Sequence, residues 1–124
     1  MFITLNDYIN NQNINFEIHD DKFILSFNDK MISSTGYSII PKDTWFKQKY
    51  VILHDLKTND EFKGRGYAKK LLKEIFNYVK NTLNIKIISL IVYKKNPIAL
   101  KLYLNIGFEI FIEYDDCYSL VKKL

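Results

Sequence analysis

Residues 58–72 read TNDEFKGRGYAKKLL. An apolar run at residues 50–56 precedes this stretch and a helix pattern follows it, so the two glycines fall in a strand-to-helix loop. Glycine permits a positive φ and lets the backbone approach a ligand without an intervening Cβ. Lys63 and Arg65 add positive charge, and the N-terminus of the following helix adds roughly half a charge. The stretch therefore predicts either an anion-binding loop or an ordinary basic turn.

The charge of the 124-residue chain is unevenly distributed. Residues 1–62 contain six Lys and nine acidic residues, a formal charge of −3, whereas residues 63–124 contain 11 Lys, one Arg and five acidic residues, a charge of +7. The basic half begins at the glycine loop. This pattern fits a polyanionic ligand, a nucleic acid or a solvated lysine surface. We do not expect nucleic acid, because the aromatic and apolar residues of 67–80 form a core stripe and leave no stacking surface.

Composition indicates one domain covering residues 1–124, because 48% hydrophobic residues suffice for a core. The chain has no apolar run long enough to span a bilayer and no secretory signal pattern at its N-terminus, so we expect no membrane association. Cys117 is the single cysteine, which excludes an internal disulfide, and the two histidines are far apart, so we expect no metal site. These features favour a cytoplasmic protein.

Apolar residues alternate with polar ones in the first half of the chain, which predicts strands at residues 14–18 and 23–27. A third strand is expected at residues 31–40, where Ser33, Ser34 and Gly36 weaken the pattern and Pro41 ends it. Residues 50–56 give a fourth strand. Before them, Asn6 or Asp7 is a weak candidate for the cap of a short helix.

The second half predicts a βαβ unit followed by a further helix and two strands. One apolar stripe predicts a helix from about residue 68 to residues 81–84, and the run IKIISLIV at residues 85–92 is typical of a strand covered on both faces. Asn96 and Pro97 predict the start of a second helix, and Gly107 its end. Residues 108–112 and 117–121 complete the chain as an antiparallel pair, which favours an α+β or mixed α/β fold.

Two motifs together resemble the GNAT superfamily of N-acetyltransferases. KGRGYA at residues 63–68 resembles the signature [Gln/Arg]-x-x-Gly-x-[Gly/Ala], and NPIALKLYLNIGF at residues 96–108 resembles the element Asn-x-x-Ala-x-x-Leu-Tyr-x-x-x-Gly-Phe. Their order, spacing and structural context also match, over about residues 50 to 124. The resemblance implies a GNAT-like α+β (mixed α/β) fold, in which helices flank a central mixed, mostly antiparallel sheet that contains one splayed parallel strand pair.

The resemblance also implies a set of site residues for acetyl-CoA. The pantetheine arm would pair with the backbone of the fourth strand, the pyrophosphate would lie on N–H groups of the glycine loop and the helix start, and Asn96 would contact the pantetheine region. Tyr103 would be the general acid for the leaving thiolate. The implied cofactor-binding residues of strand and loop are Leu56, Lys57, Thr58, Lys63, Gly64, Arg65, Gly66, Tyr67, Ala68 and Lys69. Lys63 departs from the family's Gln or Arg, keeping the charge but losing a planar hydrogen-bonding group.

Acetyl transfer to an amine requires a base. An alkylamine with a pKa of about 10.4 is neutral in about one molecule per thousand at pH 7, so deprotonation costs about 4–5 kcal/mol. Some family members carry a catalytic Glu at the position of Ile52. In a regular strand His54 shares a face with Ile52, so His54 is the candidate base, with Asp55 and Glu113 as further candidates. The alternative is that His54 is a polar residue on a half-buried strand.

The expected function is an N-acetyltransferase that moves an acetyl group from acetyl-CoA to a primary amine, by direct attack through a tetrahedral intermediate. The acceptor, a small molecule or a protein amine, is not identified by the sequence. GNAT proteins often have two helices between their first two strands, which shape the acceptor pocket, whereas only about a dozen residues precede the first alternating strand here. The resemblance therefore implies an acceptor site that is either open or completed by a second copy in a homodimer. Trp45, Phe46 and Tyr50 either wall that site or belong to the core. The alternative function is a non-catalytic acyl-CoA-binding or regulatory module of the same fold.

Overall fold

The computed structural model describes residues 14–124. The helix considered around Asn6 and Asp7 lies outside these residues. The described elements, in chain order, are β1 (Ile14–His19), β2 (Lys22–Phe27), β3 (Lys30–Ile40), β4 (Tyr50–Thr58), α1 (Tyr67–Asn81), β5 (Ile87–Tyr93), α2 (Pro97–Asn105), β6 (Glu109–Glu113) and β7 (Cys117–Lys123).

The strands form one mixed sheet in the order β1-β2-β3-β4-β5-β7-β6. The pairs β1–β2, β2–β3, β5–β7 and β6–β7 are antiparallel, whereas β4 and β5 are parallel. The parallel pairing is short: it joins Val51–Leu53 to Ile88–Leu90, whereas β4 runs on to Thr58 and β5 to Tyr93. The predicted fold class, a mostly antiparallel mixed sheet with one short parallel pair and flanking helices, is confirmed.

Contacts divide the described chain into two compact units. The first unit comprises residues 14–36 together with Asp55–Ile75. Its β2–β3 hairpin turns through Asn28 and Asp29, both at positive φ (49° and 64°), as a tight two-residue hairpin turn requires. Its core consists of side chains with at most 2% exposure, namely Phe23, Leu25, Ile32, Phe62, Tyr67, Leu71, Leu72 and Ile75.

The second unit comprises Tyr37–His54 and Phe76–Leu124. Buried residues of β4, β5 and β7, such as Val51, Ile88 and Leu120, form its core because each is fully enclosed. The predicted second helix begins as expected, since the Asn96 side chain accepts a hydrogen bond from the Ala99 N–H at 3.2 Å and Pro97 is the first helical residue. Gly107 follows its end at φ +105°. Neither α1 nor α2 is long and apolar enough to cross a membrane, and no other helix of that kind occurs in residues 14–124.

Candidate active site

The glycine loop has the backbone conformation that its sequence predicts. A single 3₁₀ turn, Asp60–Phe62, follows β4. After it, Gly64 and Gly66 adopt φ values of +76° and +81°. L-residues with a Cβ rarely adopt such values, which explains the glycines. A Cβ built on either glycine would meet no other atom within 4 Å, so the space beside both residues is open. A ligand can therefore approach this backbone closely.

Hydrogen bonds from β3 hold the end of β4 and the start of the loop. The Ser33 hydroxyl donates to the Lys57 carbonyl at 2.9 Å and lies 3.1 Å from the Thr58 hydroxyl. Ile32 has no partner in the β2–β3 register, and its carbonyl instead accepts from the Asn59 N–H at 2.8 Å. The Ile32 carbonyl therefore ties β3 to the start of the loop. Ser33 and Ile32 carry no site signal in the sequence, because only the strand register reveals these contacts.

Two aromatic side chains support the loop from within the first unit. Phe62 and Tyr67 are 2% and 1% exposed, and their rings meet edge-on with centroids 5.9 Å apart. Because the Tyr67 side chain is buried, only its backbone can contribute to a ligand site. Tyr67 is also the first residue of α1, whose ladder starts with the bond from the Lys70 N–H to the Gly66 carbonyl at 3.0 Å.

The first turn of α1 contains no acidic residue. This is unusual, because the partial positive charge at a helix N-terminus favours Asp or Glu there. Lys69 is exposed, and Lys70 is paired with Glu74 at 2.7 Å. Before the helix, Lys63 pairs with Asp60 at 2.9 Å across a well-exposed surface. The loop and the helix start therefore combine backbone donors with excess positive charge, an arrangement that stabilises an anion.

Tyr103 lies on α2, in the second unit. It is 7% exposed, and its ring meets Phe108 edge-on with centroids 5.7 Å apart. Burial raises the pKa of the Tyr103 hydroxyl to about 12, because the phenolate would lose its hydration. Tyr103 is therefore protonated at any ordinary pH. Asn96, at the start of the same helix, follows β5 directly, with its N–H donating to the Tyr93 carbonyl at 3.0 Å.

The three candidate bases have different environments. His54 is exposed at the middle of β4, and Asp55 after it has φ +55°, so the regular strand geometry is interrupted after His54 and not before it. Ile52 and His54 therefore share a face, as predicted. Glu113 accepts a hydrogen bond from Lys94 at 2.6 Å, and this carboxylate raises the pKa of Lys94. Glu113 is thus engaged in an ion pair, and His54, Asp55 and Glu113 all stay candidate bases.

The predicted site residues are distributed over both units. Leu56, Lys57, Thr58 and the residues from Lys63 to Lys69 belong to the first unit, and His54, Asn96 and Tyr103 belong to the second. Among residues 14–124, no cluster of three or more His, Cys, Asp or Glu side chains has the arrangement of a metal site. The roles assigned to the individual residues stay predictions.

A comparison with protein families identifies the fold's relatives. A profile described as the acetyltransferase (GNAT) family matches residues 4–108, most of the chain. The chain belongs to this GNAT family. The resemblance carried by the two motifs is thereby confirmed. A search of curated protein sequences gives no match.

Solved structures of GNAT proteins share the fold. The structure described as the NatC complex bound to Gag peptide and CoA contains a chain that is 21% identical, with a TM-score of 0.70, over 83% of this chain and 70% of that chain. PaiA N-acetyltransferase from Thermoplasma acidophilum, in complex with coenzyme A, is 19% identical, with a TM-score of 0.71, over 83% of this chain and 60% of the PaiA chain. N-acetyltransferase PseH from Campylobacter jejuni, in complex with acetyl coenzyme A, is 26% identical, with a TM-score of 0.64, over 85% of this chain and 70% of the PseH chain. The chain thus spans less than two thirds of the PaiA chain.

Proposed function

We propose that this GNAT-family chain is an N-acetyltransferase that transfers an acetyl group from acetyl-CoA to a primary amine, and that residues 1–124 act as a single domain. The observation that carries the proposal is the glycine loop: Gly64 and Gly66 present backbone at positive φ to open space, directly before a helix whose first turn lacks carboxylates. That arrangement suits a pyrophosphate. The CoA and acetyl-CoA complexes of PaiA and PseH support the same choice of ligand.

The end of β4 fits the pantetheine arm. The Lys57 carbonyl and the Asn59 N–H are both engaged with β3. Because backbone groups of successive residues in a strand point to opposite edges, those of Leu56 and Thr58 point away from β3. We assign the pantetheine pairing to Leu56 and Thr58, with Lys57 held in place by Ser33. Asn96, which lies between β5 and α2, is the proposed contact to the pantetheine arm from the other parallel strand's side.

We assign the phosphate contacts to the backbone from Lys63 to Lys69. Gly64 and Gly66 leave room for the phosphates, and Tyr67 and Ala68 contribute N–H groups at the helix start, where a helix cannot satisfy its own donors. Arg65 and Lys69 add positive charge. Lys63 would exchange its exposed partner Asp60 for a phosphate, since exposed ion pairs contribute only about 0–1 kcal/mol.

Acetyl-CoA supplies the acetyl group as a thioester, which a neutral amine attacks directly. His54 would remove the proton of the acceptor ammonium, either directly or through water. Tyr103 would donate its proton towards the sulfur of the leaving thiolate. A phenol with a pKa of about 12 is a weaker acid than a thiol, with a pKa of about 8.5. A hydrogen bond from Tyr103 to the developing sulfur charge is therefore favoured over complete proton transfer.

The acceptor is an amine of a small molecule or of a protein. The NatC structure contains a peptide, and a bisubstrate analogue, CoA-Ac-MVNAL, is bound to Arabidopsis thaliana Naa50. These ligands support including peptide N-termini among the candidates, beside lysine side chains, polyamines and small amines. A homodimer and a cytoplasmic location stay predictions.

A thiol-release assay with acetyl-CoA tests the proposal. The protein is incubated with one representative of each amine class, and free CoA thiol is measured against a no-amine control. We expect amine-dependent thiol release with at least one class, and Gly66→Glu should abolish it. If acetyl-CoA binds but no class gives release, the N-acetyltransferase proposal fails and the non-catalytic acyl-CoA-binding module replaces it.

A further inference from the structure

The second unit contains a cavity of about 540 Å³ that none of the proposed acetyl-transfer residues lines. Its size is in the range of small-molecule sites, about 300–1,000 Å³. Three aromatic side chains, Trp45, Phe46 and Phe111, form one wall, and Ile87 and Val121 contribute aliphatic surface. The Phe46 and Phe111 rings stack with centroids 5.4 Å apart, and Trp45 meets Phe111 edge-on at 6.1 Å.

A dedicated set of hydrogen bonds positions the loop that carries two of these aromatic residues. The Asp43 carboxylate accepts from the N–H groups of Trp45 and Phe46 at 2.9 and 3.1 Å, and from the Tyr50 hydroxyl at 2.6 Å. The Asp43 N–H in turn donates to the Phe46 carbonyl at 2.9 Å. The backbone that carries Trp45 and Phe46 is therefore held in place by the fold before any ligand binds.

A bulge in β6 orients the third aromatic ring. In the pairing of β6 with β7, Ile110 faces Leu120 and Ile112 faces Ser119, so Phe111 is an extra residue without a partner in the register. A bulge of this kind changes the direction of a side chain. Phe111 is 45% exposed and Trp45 is 58% exposed, although they contact each other. This leaves aromatic surface that a ligand could cover.

The rim of the cavity is positively charged. Lys47 and Lys123 line it together with a single carboxylate, Glu109. Within residues 14–124, none of these three side chains takes part in an ion pair. The Gln48 amide adds a further donor. An aromatic wall beside two unneutralised ammonium groups complements an anion with an apolar body.

The cavity lies at the opposite end of β5 from Asn96. Ile87, which lines the cavity, is the first residue of β5, and Asn96 hydrogen-bonds to Tyr93, the last. Six residue steps in a strand correspond to about 20 Å. The cavity is therefore separate from the proposed acetyl-CoA contact at Asn96.

We propose that this cavity is a second ligand site, which binds a small carboxylate with an aromatic or medium-length aliphatic body. The apolar part lies against Trp45 and Phe111, and the carboxylate is held by Lys47 and Lys123. This site is independent of acetyl transfer: a ligand there reacts with nothing, and its binding does not require acetyl-CoA.

Trp45 provides the assay, because it is the single tryptophan of the chain. We would titrate phenylbutyrate, without acetyl-CoA, and follow tryptophan fluorescence excited where tyrosine does not absorb. We expect a saturable change. The neutral analogue phenylbutanol should bind at least about tenfold more weakly, because it has no negative charge to offer to Lys47 and Lys123. The cationic analogue phenylbutylamine should bind more weakly still.

Charge variants locate the site. Lys47→Gln and Lys123→Gln should each weaken phenylbutyrate binding several-fold, and Glu109→Gln should strengthen it. Lys95→Gln is the matched control, because Lys95 lies over Tyr93 at the other end of β5 and should leave binding unchanged. The proposal is overturned by any of three results: no saturable change, equal or tighter binding of the amine or the alcohol, or an equal effect of Lys95→Gln.

Discussion

Replacing Gly66 by alanine separates backbone strain from ligand binding. Gly66 has φ +81°, and an added Cβ would touch no protein atom within 4 Å. In the free protein the substitution therefore lowers the free energy of unfolding only by the cost of placing an L-residue in the left-handed region, about 1–2 kcal/mol. For a domain of this size, 1 kcal/mol changes Tm by about 4 °C, so Gly66→Ala should melt roughly 4–8 °C below the parent protein.

The same substitution should remove the stabilisation by acetyl-CoA. A ligand at one hundred times its Kd stabilises the folded state by about 2.7 kcal/mol, which corresponds to a rise in Tm of about 10 °C. In Gly66→Ala the Cβ fills the open space that we assign to a phosphate. A hundredfold loss of affinity would leave only about 0.4 kcal/mol at the same acetyl-CoA concentration, a rise of about 2 °C.

Gly107→Ala is the matched control for this experiment. Gly107 also has positive φ, +105°, and its Cβ would lie 2.6 Å from the Lys122 Nζ, the mobile end of a long side chain. This variant should lose a comparable amount of stability but keep the full rise with acetyl-CoA. Thermal unfolding of both variants, with and without acetyl-CoA, measures the two effects. The assignment of the phosphate site is refuted if Gly66→Ala keeps the full rise, or if both variants lose it equally.

Three further predictions concern named side chains. Tyr103→Phe should slow acetyl transfer by about tenfold or more with an unchanged KM for acetyl-CoA, and an equal kcat would remove Tyr103 from the mechanism. Burial raises the folded-state pKa of Tyr103 from 10.0 to about 12, so its contribution to stability is complete below pH 10 and is lost as the pH rises towards 12. Between pH 10 and 12 the Tm of Tyr103→Phe should therefore fall less than the Tm of the parent protein. Asp43→Ala removes the hydrogen bonds that hold the Trp45 loop and should lower the fluorescence anisotropy of Trp45; an unchanged anisotropy would contradict the positioning role of Asp43. In the parent protein, the hydrogen bond from Tyr50 lowers the pKa of Asp43, so the anisotropy should fall only as the pH drops below 3.8.

Local patterns predicted most of the elements. Alternating apolar residues located the strands, and the apolar stripe from Ala68 to Val79 located α1, because both periodicities record which face is buried. The cap at Asn96 was equally predictable, since the side chain, the following proline and the bond to Ala99 lie within four residues. The glycine loop belongs to the same class: its conformation depends on a short stretch of sequence.

Contacts that depend on strand register could not be predicted. In the sequence, Ile32 and Phe111 have the pattern of ordinary strand residues, yet each is the extra residue of a bulge. The Ile32 carbonyl bonds Asn59 before the glycine loop, and Phe111 lines the cavity. Ser33 was expected to weaken β3, whereas it is fully buried and bonds the end of β4. Its role requires Lys57, 24 positions away in the sequence, to be its neighbour in space.

Lys63 stands where the family motif has Gln or Arg, and the structure indicates that this difference has little effect on where an anion would bind. A Gln or Arg at this position would offer a planar group with fixed hydrogen-bond directions, whereas lysine offers a point charge on a flexible chain. Here that charge is already paired with Asp60, and both side chains are highly exposed, so the pair contributes little and can exchange partners. The geometry beside Gly64 and Gly66 is instead fixed by backbone φ values and by the buried Phe62–Tyr67 contact. If the backbone determines where an anion lies and Lys63 only adds charge, the loss of a planar group weakens binding without moving the site.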